Sequence, residues 1–578
     1  MIEEQNFSQN DVSVTDKKKA MSTSPISLNQ KPIGDMAVDH EPLHKSLDSG
    51  LLYLARQQSE DGHWRFDLEA DVTIPAEYIL LQKFFENEKP EREGKIVKYL
   101  KNRQLRDGSW PLYFGGSGNI SATVKAYFAL KLAGESIDGP ELKKARCWVL
   151  ENGGAESVNV FTRITLAIFG QMPWRTVPAM PVEIMLLPKW WLFSLSKVSY
   201  WSRCVIVPLL IIFAKKPLVR VDEEKGVYEL FSSNPNELKN LDQIDFQKPI
   251  KSFFVLLDRL IKRVEPLIPN KVRGKAINLA ETWLRAHSKG EGGVGAIFPA
   301  IANAAIAYKL LGSNEDDQDF VRQLNAVEKL VIDGFEESFC QPCVSPVWDT
   351  CLSLSALAEG GAHPEHPAVR KAVDWLVKHQ IFVDGDWKDK APQLRAGGWA
   401  FQYENDKYPD VDDTGMVLMS LLRVRAHCDP DLRKKMLQAL KWVVGMQNAD
   451  GSWGAFDIGN NAAYLNNIPF ADHGALIDPG TADVTARSVE LLCMLGYSKH
   501  NEIVKNALNF LKADQESDGS WYGRWGVNYL YGTWSVLSAL GAAREDPAQP
   551  YIRKAIKWLK TNQNIDGGWG ESCDSYEE

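Results

Sequence analysis

The chain has 578 residues, of which 44% are hydrophobic and 24% charged, and its formal net charge is −9. The length exceeds that of one small domain, and the composition is typical of a folded globular core. An acidic balance without a basic face argues against nucleic-acid binding, because phosphate contacts require clustered lysines and arginines. The count of 19 tryptophans indicates a repeated structural element or a binding surface.

The N-terminal 40 residues are polar and contain no apolar core segment. They predict a disordered leader rather than a signal peptide. The eight cysteines are scattered and show no disulfide framework, which favours a reducing compartment. Cys340 and Cys343 form an isolated CxxC pair without a second pair or a following histidine pair, so we assign no metal site to them.

Two apolar segments raise the question of membrane contact. Residues 204–214 (CVIVPLLIIFA) are the most apolar run, but they are too short to span a bilayer, which takes about 20 residues. Residues 250–268 (IKSFFVLLDRLIKRVEPLI) fit either a buried amphipathic helix or a helix lying in a membrane surface. Their predicted apolar face consists of Phe253, Phe254, Leu257, Leu260, Ile261 and Val264, beside the basic Lys251, Arg259, Lys262 and Arg263.

A short repeat organises the chain. Each of six copies ends a helical pattern with a glutamine, followed by a short gap, a glycine, one further residue and a tryptophan. The pairs are Gln58 and Trp64, Gln104 and Trp110, Gln380 and Trp387, Gln447 and Trp453, Gln515 and Trp521, and Gln563 and Trp569. The Asp-Gly before most of these tryptophans supplies a left-handed turn at the helix end. We interpret the repeats as structural clamps that tie one helix pair to the next.

The sequence between the copies has a helical pattern and lacks alternating Val- and Ile-rich strands. Helix pairs repeated around an axis predict an all-α fold of two α/α-barrel domains. The first two copies are separated from the other four by a long stretch without a clear copy. We therefore expect an N-terminal domain over residues 41–340 and a C-terminal domain over residues 341–578.

The stretch YPDVDDTG, residues 408–415, places Asp410, Asp412 and Asp413 before an apolar helical run. A magnesium site is one interpretation, but the chain has neither DDxxD spacing nor a basic phosphate-binding cluster nearby. Asp413 or Thr414 would cap a helix beginning at Gly415, which explains one acid and not three. Crowded, buried carboxyls raise one another's pKa, so we expect Asp412 to stay neutral and act as a proton donor.

Aromatic residues surround this acid in the sequence, while metal and nucleotide motifs are missing. The pattern suggests an uncharged hydrocarbon substrate whose protonation creates a cation. A well-placed aromatic face is worth about 2 kcal/mol to a desolvated cation. Several such faces together would support a migrating positive charge in a site kept free of water.

These motifs resemble those of the squalene–hopene cyclases. The resemblance rests on DVDD with the preceding GGWAFQYENDKYP, on the six repeats, and on DVTIPAEYILL, VFTRITLAIFGQMPW, SPVWDT, DPGTADVTAR and GRWGVNYLYGT. It implies a cofactor-free isomerase that polycyclises squalene to hopene, with water capture giving hopanol. It further implies a monotopic position on the cytoplasmic face of the cell membrane, with residues 250–268 as the seat, and leaves a homodimer open.

The resemblance also assigns roles to individual residues. Asp412 is the expected proton donor, supported by Asp410 and Asp413. Glu77 and Gln402 match positions that help to hold water or hydrogen bonds around the site and the terminal cation. The expected cavity aromatics and their hydrogen-bonding neighbours are Phe161, Trp201, Trp348, Phe401, Trp525 and Tyr531.

The chain departs from the family pattern at three places. Arg487 stands where one well-known form has a histidine paired with the central aspartate, and arginine cannot relay a proton because it stays charged. It can still stabilise the carboxylate left after protonation, and it lowers the pKa of Asp412. Phe456 replaces a tyrosine but keeps the ring. Family members continue past Glu578, so we expect a C-terminally incomplete chain with an open second barrel.

Three other hypotheses remain open at this point. A related polyprenyl hydrocarbon, such as a C35 chain, could replace squalene as substrate. A carbohydrate-active α/α-barrel enzyme would use the tryptophans as sugar platforms and Asp412 as its acid, but it needs a second carboxylate across a polar groove. The third hypothesis is an inactive, truncated helical scaffold.

Overall fold

The computed structural model of the protein describes residues 40–239, 241, 247, 249–468, 470 and 476–576. Within these ranges the chain forms nineteen α-helices and a single two-stranded antiparallel sheet. The predicted all-α class is confirmed. The predicted disordered leader lies outside the described residues, except for His40, which begins the first helix.

Eleven helices precede the sheet. They are α1 (His40–Gln57), α2 (Thr73–Phe85), α3 (Pro90–Asn102), α4 (Ile120–Leu132), α5 (Pro140–Glu151), α6 (Val160–Ile168), α7 (Tyr200–Lys215), α8 (Pro249–Val264), α9 (Asn270–His287), α10 (Phe298–Leu311) and α11 (Gln318–Lys329). The strands are β1 (Val331–Asp333) and β2 (Ser338–Cys340), with Ile332 opposite Phe339. The later helices are α12 (Pro346–Glu359), α13 (Pro367–Lys378), α14 (Val411–Arg423), α15 (Pro430–Gly445), α16 (Ala482–Met494), α17 (Glu502–Ala513), α18 (Asn528–Ala542) and α19 (Pro550–Thr561).

Inner and outer helices alternate along the chain. Helices α12, α14, α16 and α18 pack side by side, and each contacts the outer helix that follows it. The inner helix α14 is buried on all faces from Val411 to Leu421. The outer helix α17 buries only the stripe of Val504, Ala507 and Leu511, which is the pattern of a helix with one face in solvent. This arrangement is the predicted α/α barrel of helix pairs.

The hydrophobic residues form two large clusters. One extends from Val72 to Val344 and also takes in Tyr408 and Phe470. The other cluster contains residues of the helices after β2. It also includes Trp64, which lies in the loop after α1. Tyr403 and Phe456 pack against both clusters, so the two parts of the chain meet near the acidic stretch. The division near residue 340 stays a prediction.

The repeats form clamps, as predicted. The Nε2 of Gln447 donates to the carbonyl of Ile503 at the start of α17 (3.0 Å), and Trp453 is fully buried. The indole N–H of Trp453 donates to Val443 in α15 (2.7 Å), and its backbone N–H donates to Thr485 in α16 (3.0 Å). One copy therefore joins three helices. Equivalent bonds occur at Gln58 and Trp64, Gln104 and Trp110, and Gln515 and Trp521.

In the third copy, the clamp is formed by a different tryptophan from the predicted one. Gln380 donates to the carbonyl of Gly397, and the fully buried Trp399 donates its indole N–H to Leu376 (2.6 Å). The predicted Trp387 makes no such bond; its indole N–H has no hydrogen-bond partner in the described part of the chain. The stretch between Gln380 and Gly397 is longer than the matching stretch in the other copies, so the true Gly-x-Trp lies further along the sequence.

Helix α8 shows a different apolar face from the one predicted. Phe254 is buried and Leu257 is half-buried, while Leu256 is exposed. Beyond Ile250 at the start of the helix, the exposed apolar stripe consists of Phe253, Leu256, Leu260, Val264 and Leu267. Among the described helices, none is both long and apolar enough to cross a bilayer.

Candidate active site

Helix α14 begins inside the acidic stretch and not at Gly415. Asp410 is the residue before it, and its Oδ1 accepts the backbone N–H groups of Asp412 (2.7 Å) and Asp413 (3.2 Å). The backbone of Asp410 is extended because its N–H donates to Trp399 (2.7 Å). Asp410 is therefore the helix cap, and the prediction of Asp413 or Thr414 in this role was wrong.

All three carboxyls are buried, being between 2% and 7% exposed. Burial raises the pKa of Asp410 and of Asp413 well above the usual range, and repulsion between these carboxyls and Asp412 raises both further. The Oδ1 of Asp413 has no hydrogen-bond partner in the described part of the chain, which further disfavours its charged form. Two of the three acids thus favour the protonated state.

Asp412 differs from its neighbours because it has a cation beside it. Burial raises the pKa of Asp412, and the charge of Arg487 opposes that rise. The Nε of Arg487 donates to Oδ1 of Asp412 at 3.0 Å, and the guanidinium also donates to the hydroxyl of Tyr531 at 3.0 Å. The guanidinium lies 5.6 Å from the ring centre of Trp348 and 5.2 Å from that of Trp534. These rings and the phenol hold the arginine against the acid.

Aromatic rings lead from this cluster towards the N-terminal helices. The rings of Phe456 and Trp525 lie 5.9 Å apart, and those of Trp525 and Trp201 lie 6.3 Å apart. Their backbones are fixed by two buried acids of the DPGTAD stretch. Asp478 accepts the N–H of Phe456 (2.7 Å), and Asp483 accepts the N–H of Trp525 (2.8 Å).

The chain of rings opens into a cavity of about 880 Å³. Its wall is mainly apolar and includes Phe161 and Trp201. Glu77 on α2 also lines it and forms an ion pair with Lys125 on α4. The predicted residues Glu77, Phe161 and Trp201 therefore share one cavity, whereas Asp412 lies beyond Trp201 with the aromatic rings of the C-terminal helices.

The two remaining predicted residues lie in the loop before α14. The side chain of Gln402 bonds to Gly295 (3.5 Å) and to Asn405 (3.2 Å), and to neither Asp412 nor Glu77. Phe401 is half-buried in the loop before α14, where its carbonyl accepts the N–H of Val347 at 3.4 Å. Their assigned roles stay predictions.

Sequence reasoning did not single out Lys125, Asp478 or Asp483. The two acids lie in a string that carried the family resemblance, DPGTADVTAR, so that string was the signal for them. The sequence contained no indication of a role for Lys125, because a helical pattern does not show that a lysine is buried. Within the described residues, no group of three or more His, Cys, Asp and Glu side chains is arranged to hold a metal ion.

Comparison with known proteins places the chain in a family. Residues 48–335 match the family model of the squalene-hopene cyclase N-terminal domain, and residues 344–578 match that of the C-terminal domain. The squalene–hopene cyclase of Zymomonas mobilis is 47% identical over 567 residues, covering 96% of this chain and 84% of that protein. That of Alicyclobacillus acidocaldarius is 38% identical over 551 residues, covering 94% and 86%. The chain therefore belongs to the squalene–hopene cyclase family.

Proposed function

We propose that the protein cyclises squalene to a pentacyclic triterpene, hopene or hopanol, and that Asp412 starts the reaction as the acid. The observation that carries this proposal is the contact between Asp412 and Arg487 inside a site walled by aromatic rings. A buried carboxylic acid can protonate an alkene only if both products of the transfer are stabilised. Arg487 stabilises the carboxylate, and the ring faces stabilise the carbocation.

The first step moves one proton. The O–H bond of Asp412 breaks, the π electrons of the terminal alkene form a new C–H bond, and a tertiary cation remains. Each following alkene then donates its π electrons to the cation, which closes a ring and moves the charge onward. Phe456, Trp525, Trp201 and Phe161 lie along this direction, and each well-placed face contributes about 2 kcal/mol of stabilisation.

The cavity supports a hydrocarbon substrate over a carbohydrate. Most of its wall is apolar, so a sugar would bury many of its hydroxyls against groups that cannot bond them, which is costly. Membranes carrying the protein should convert squalene to pentacyclic products detectable by gas chromatography with mass spectrometry. A C35 polyprene supplied in parallel tests the alternative substrate. If the protein converts the C35 chain but not squalene, the C35 polyprene becomes the proposed substrate. If it converts neither, the hypothesis of an inactive scaffold is favoured.

We also propose that α8 seats the protein on the cytoplasmic face of the cell membrane. The exposed stripe of five apolar side chains on α8 and its end is too large for an ordinary solvent-facing helix. Phe193 packs on Phe254 of α8 with ring centres 5.9 Å apart, so the exposed apolar residues just before Phe193 adjoin the stripe. Those residues are Trp190, Trp191 and Leu192. A homodimer stays a prediction, tested by sedimentation of the solubilised protein.

A further inference from the structure

Helix α4 carries two buried lysines, each paired with a glutamate. Lys125 pairs with Glu77 at 2.5 Å, and Lys131 pairs with Glu229 at 2.7 Å. Both lysine side chains are at most 8% exposed. They differ in one respect: Lys125 and Glu77 line the 880 Å³ cavity, whereas neither Lys131 nor Glu229 does.

The cavity wall contains two cations, Lys125 and Arg163, and two acids, Asp71 and Glu77. A cavity that stabilises carbocations with aromatic faces would be opposed by a lysine, since two positive charges repel each other strongly where water is excluded. The pairing with Glu77 removes this conflict. The Glu77 side chain is 22% exposed and that of Lys125 is 8%, so the carboxylate is the more open member and the ammonium is the more enclosed one.

The position of the Lys125–Glu77 pair indicates that it would act at a late step of the reaction. The acidic stretch lies beside Phe456, since the N–H of Val411 donates to the carbonyl of Ala455 (2.8 Å), and the cavity has Trp201, further along the row of rings, in its wall. Positive charge that starts beside Asp412 and moves away from it therefore arrives in the cavity with Glu77. A negative carboxylate there attracts the last cation and can accept the proton that ends the reaction.

We propose that Lys125 is a positioning residue that determines the product: through its ion pair it holds the Glu77 carboxylate in place at the point where the last cation is discharged. This inference rests on the proposed function. The discharge has two branches. In one, a C–H bond next to the cationic carbon breaks, its electrons form the alkene, and the proton goes to Glu77. In the other, a water oxygen forms a C–O bond to the cation, and the proton released from that water goes to Glu77.

Lys125 affects both branches through Glu77. Without Lys125, the Glu77 side chain loses the ion pair that fixes its position in the cavity wall. A displaced Glu77 carboxylate no longer lies where it can accept the final proton or orient water at the cationic carbon. Lys125→Met should therefore shift the ratio of alcohol to alkene about tenfold and increase incompletely cyclised products, since bonds to charged groups contribute at this level. Lys125→Arg keeps the ion pair and should keep the ratio within about twofold of wild type.

The experiment measures product ratios from squalene by mass spectrometry for these variants, with circular dichroism as a check on folding. Lys131→Met is the matched control: it removes the other buried ion pair of α4 and should leave the ratio unchanged. In a Glu77→Gln background, Lys125→Met should add no further change, because the lysine acts through that carboxylate. An unchanged ratio in Lys125→Met, or an equal shift in Lys131→Met, overturns the inference.

The same experiment separates this inference from the proposed function. If the wild-type protein forms no pentacyclic product, the proposed function fails. If the wild type forms it and Lys125→Met does not alter the ratio, only the inference fails. Should Lys125→Met not fold, Lys125→Gln in the same assay decides the question, with the same expected loss of ratio control.

Discussion

The Nε of Arg487 lies 3.0 Å from Oδ1 of Asp412, with the two side chains 3% and 8% exposed. Burial favours the neutral acid, and the adjacent cation favours its conjugate base. These opposing effects on the pKa of Asp412 suit a group that must hold a proton and then transfer it to an alkene. Because arginine cannot take up that proton, the contact stabilises the product of the transfer without joining in it.

Replacing Arg487 with glutamine should change the pH dependence in a fixed direction. Arg487 lowers the pKa of Asp412, so its loss raises that pKa. Activity needs the protonated acid, and it falls as the pH rises through the pKa of Asp412. The fall in Arg487→Gln should therefore occur at higher pH than in wild type. Turnover below that pH should drop about 10- to 100-fold, because the carboxylate loses its charge-assisted bond.

Initial rates of product formation across a pH series test this prediction. Arg487→Lys serves as the control, since it keeps the charge but loses the two-sided hydrogen bonding to Asp412 and Tyr531. A decline that moves to lower pH in the glutamine variant would reject the proposed role of the arginine.

Asp478 should make stability depend on pH. Burial and the neighbouring Asp457 raise the pKa of Asp478 to about 6, above its ordinary 3.8. A raised pKa means that the protonated form stabilises the fold at low pH and that this stabilisation is lost as the pH rises towards 6. Relative to Asp478→Asn, the wild type should therefore be more stable at pH 4 than at pH 7 by about 2 kcal/mol.

Urea denaturation of both proteins at several pH values measures this difference. Asp450→Asn is the control, because Asp450 also accepts a backbone N–H but lies exposed in its turn. A free-energy difference between wild type and Asp478→Asn that stays constant from pH 4 to 7 would contradict the assignment.

Alanine substitution should lower the stability of the fold by different amounts at two glutamines that hold the same position in the repeat. Gln447→Ala leaves two partly buried carbonyls without their bonds, at Gly451 and Ile503, and should cost about 1–3 kcal/mol of unfolding free energy. Gln563→Ala removes one bond within an exposed turn and should cost less than about 0.5 kcal/mol. Denaturant titration compares the two. Equal losses would show that the bridge to the next helix contributes nothing.

The membrane proposal is tested on the exposed stripe. Replacing Leu256, Leu260 and Val264 with serine should release the protein from liposomes, because the apolar area that enters the headgroup region is lost. Phe335→Ser, on an exposed side chain of the β1–β2 hairpin, should leave binding unchanged. Co-sedimentation measures both. Full binding of the triple variant would reject α8 as the seat.

Local patterns in the sequence predicted much of the fold. The helix-pair architecture and the clamps follow from the spacing of glutamine, glycine and tryptophan, because each copy contains its own bonding partners. The third copy was assigned wrongly because Gly385 and Trp387 imitate the motif near Gln380, although Trp387 lies seven positions after that glutamine and the other copies have six. The real partner, Trp399, lies further along the chain, and a local pattern does not show which tryptophan reaches the helix it clamps.

The site was predicted less completely for a physical reason. Asp412 and Arg487 could be paired through the resemblance, and the structure brings them into contact. The cap was assigned to the wrong residue, since only the backbone bond from Asp410 to Trp399 fixes where α14 begins. Lys125 was missed because its meaning depends on burial in a cavity and on Glu77, 48 positions earlier in the chain.

The most direct test of the account is the turnover of squalene by Asp412→Asn. Asparagine has nearly the same shape and keeps an oxygen for Arg487, but it has no acidic proton to give. We expect pentacyclic products to fall by at least about a hundredfold, as for loss of a general acid, with an unchanged circular dichroism spectrum. Turnover within a few-fold of wild type would contradict the assignment of Asp412 as the acid.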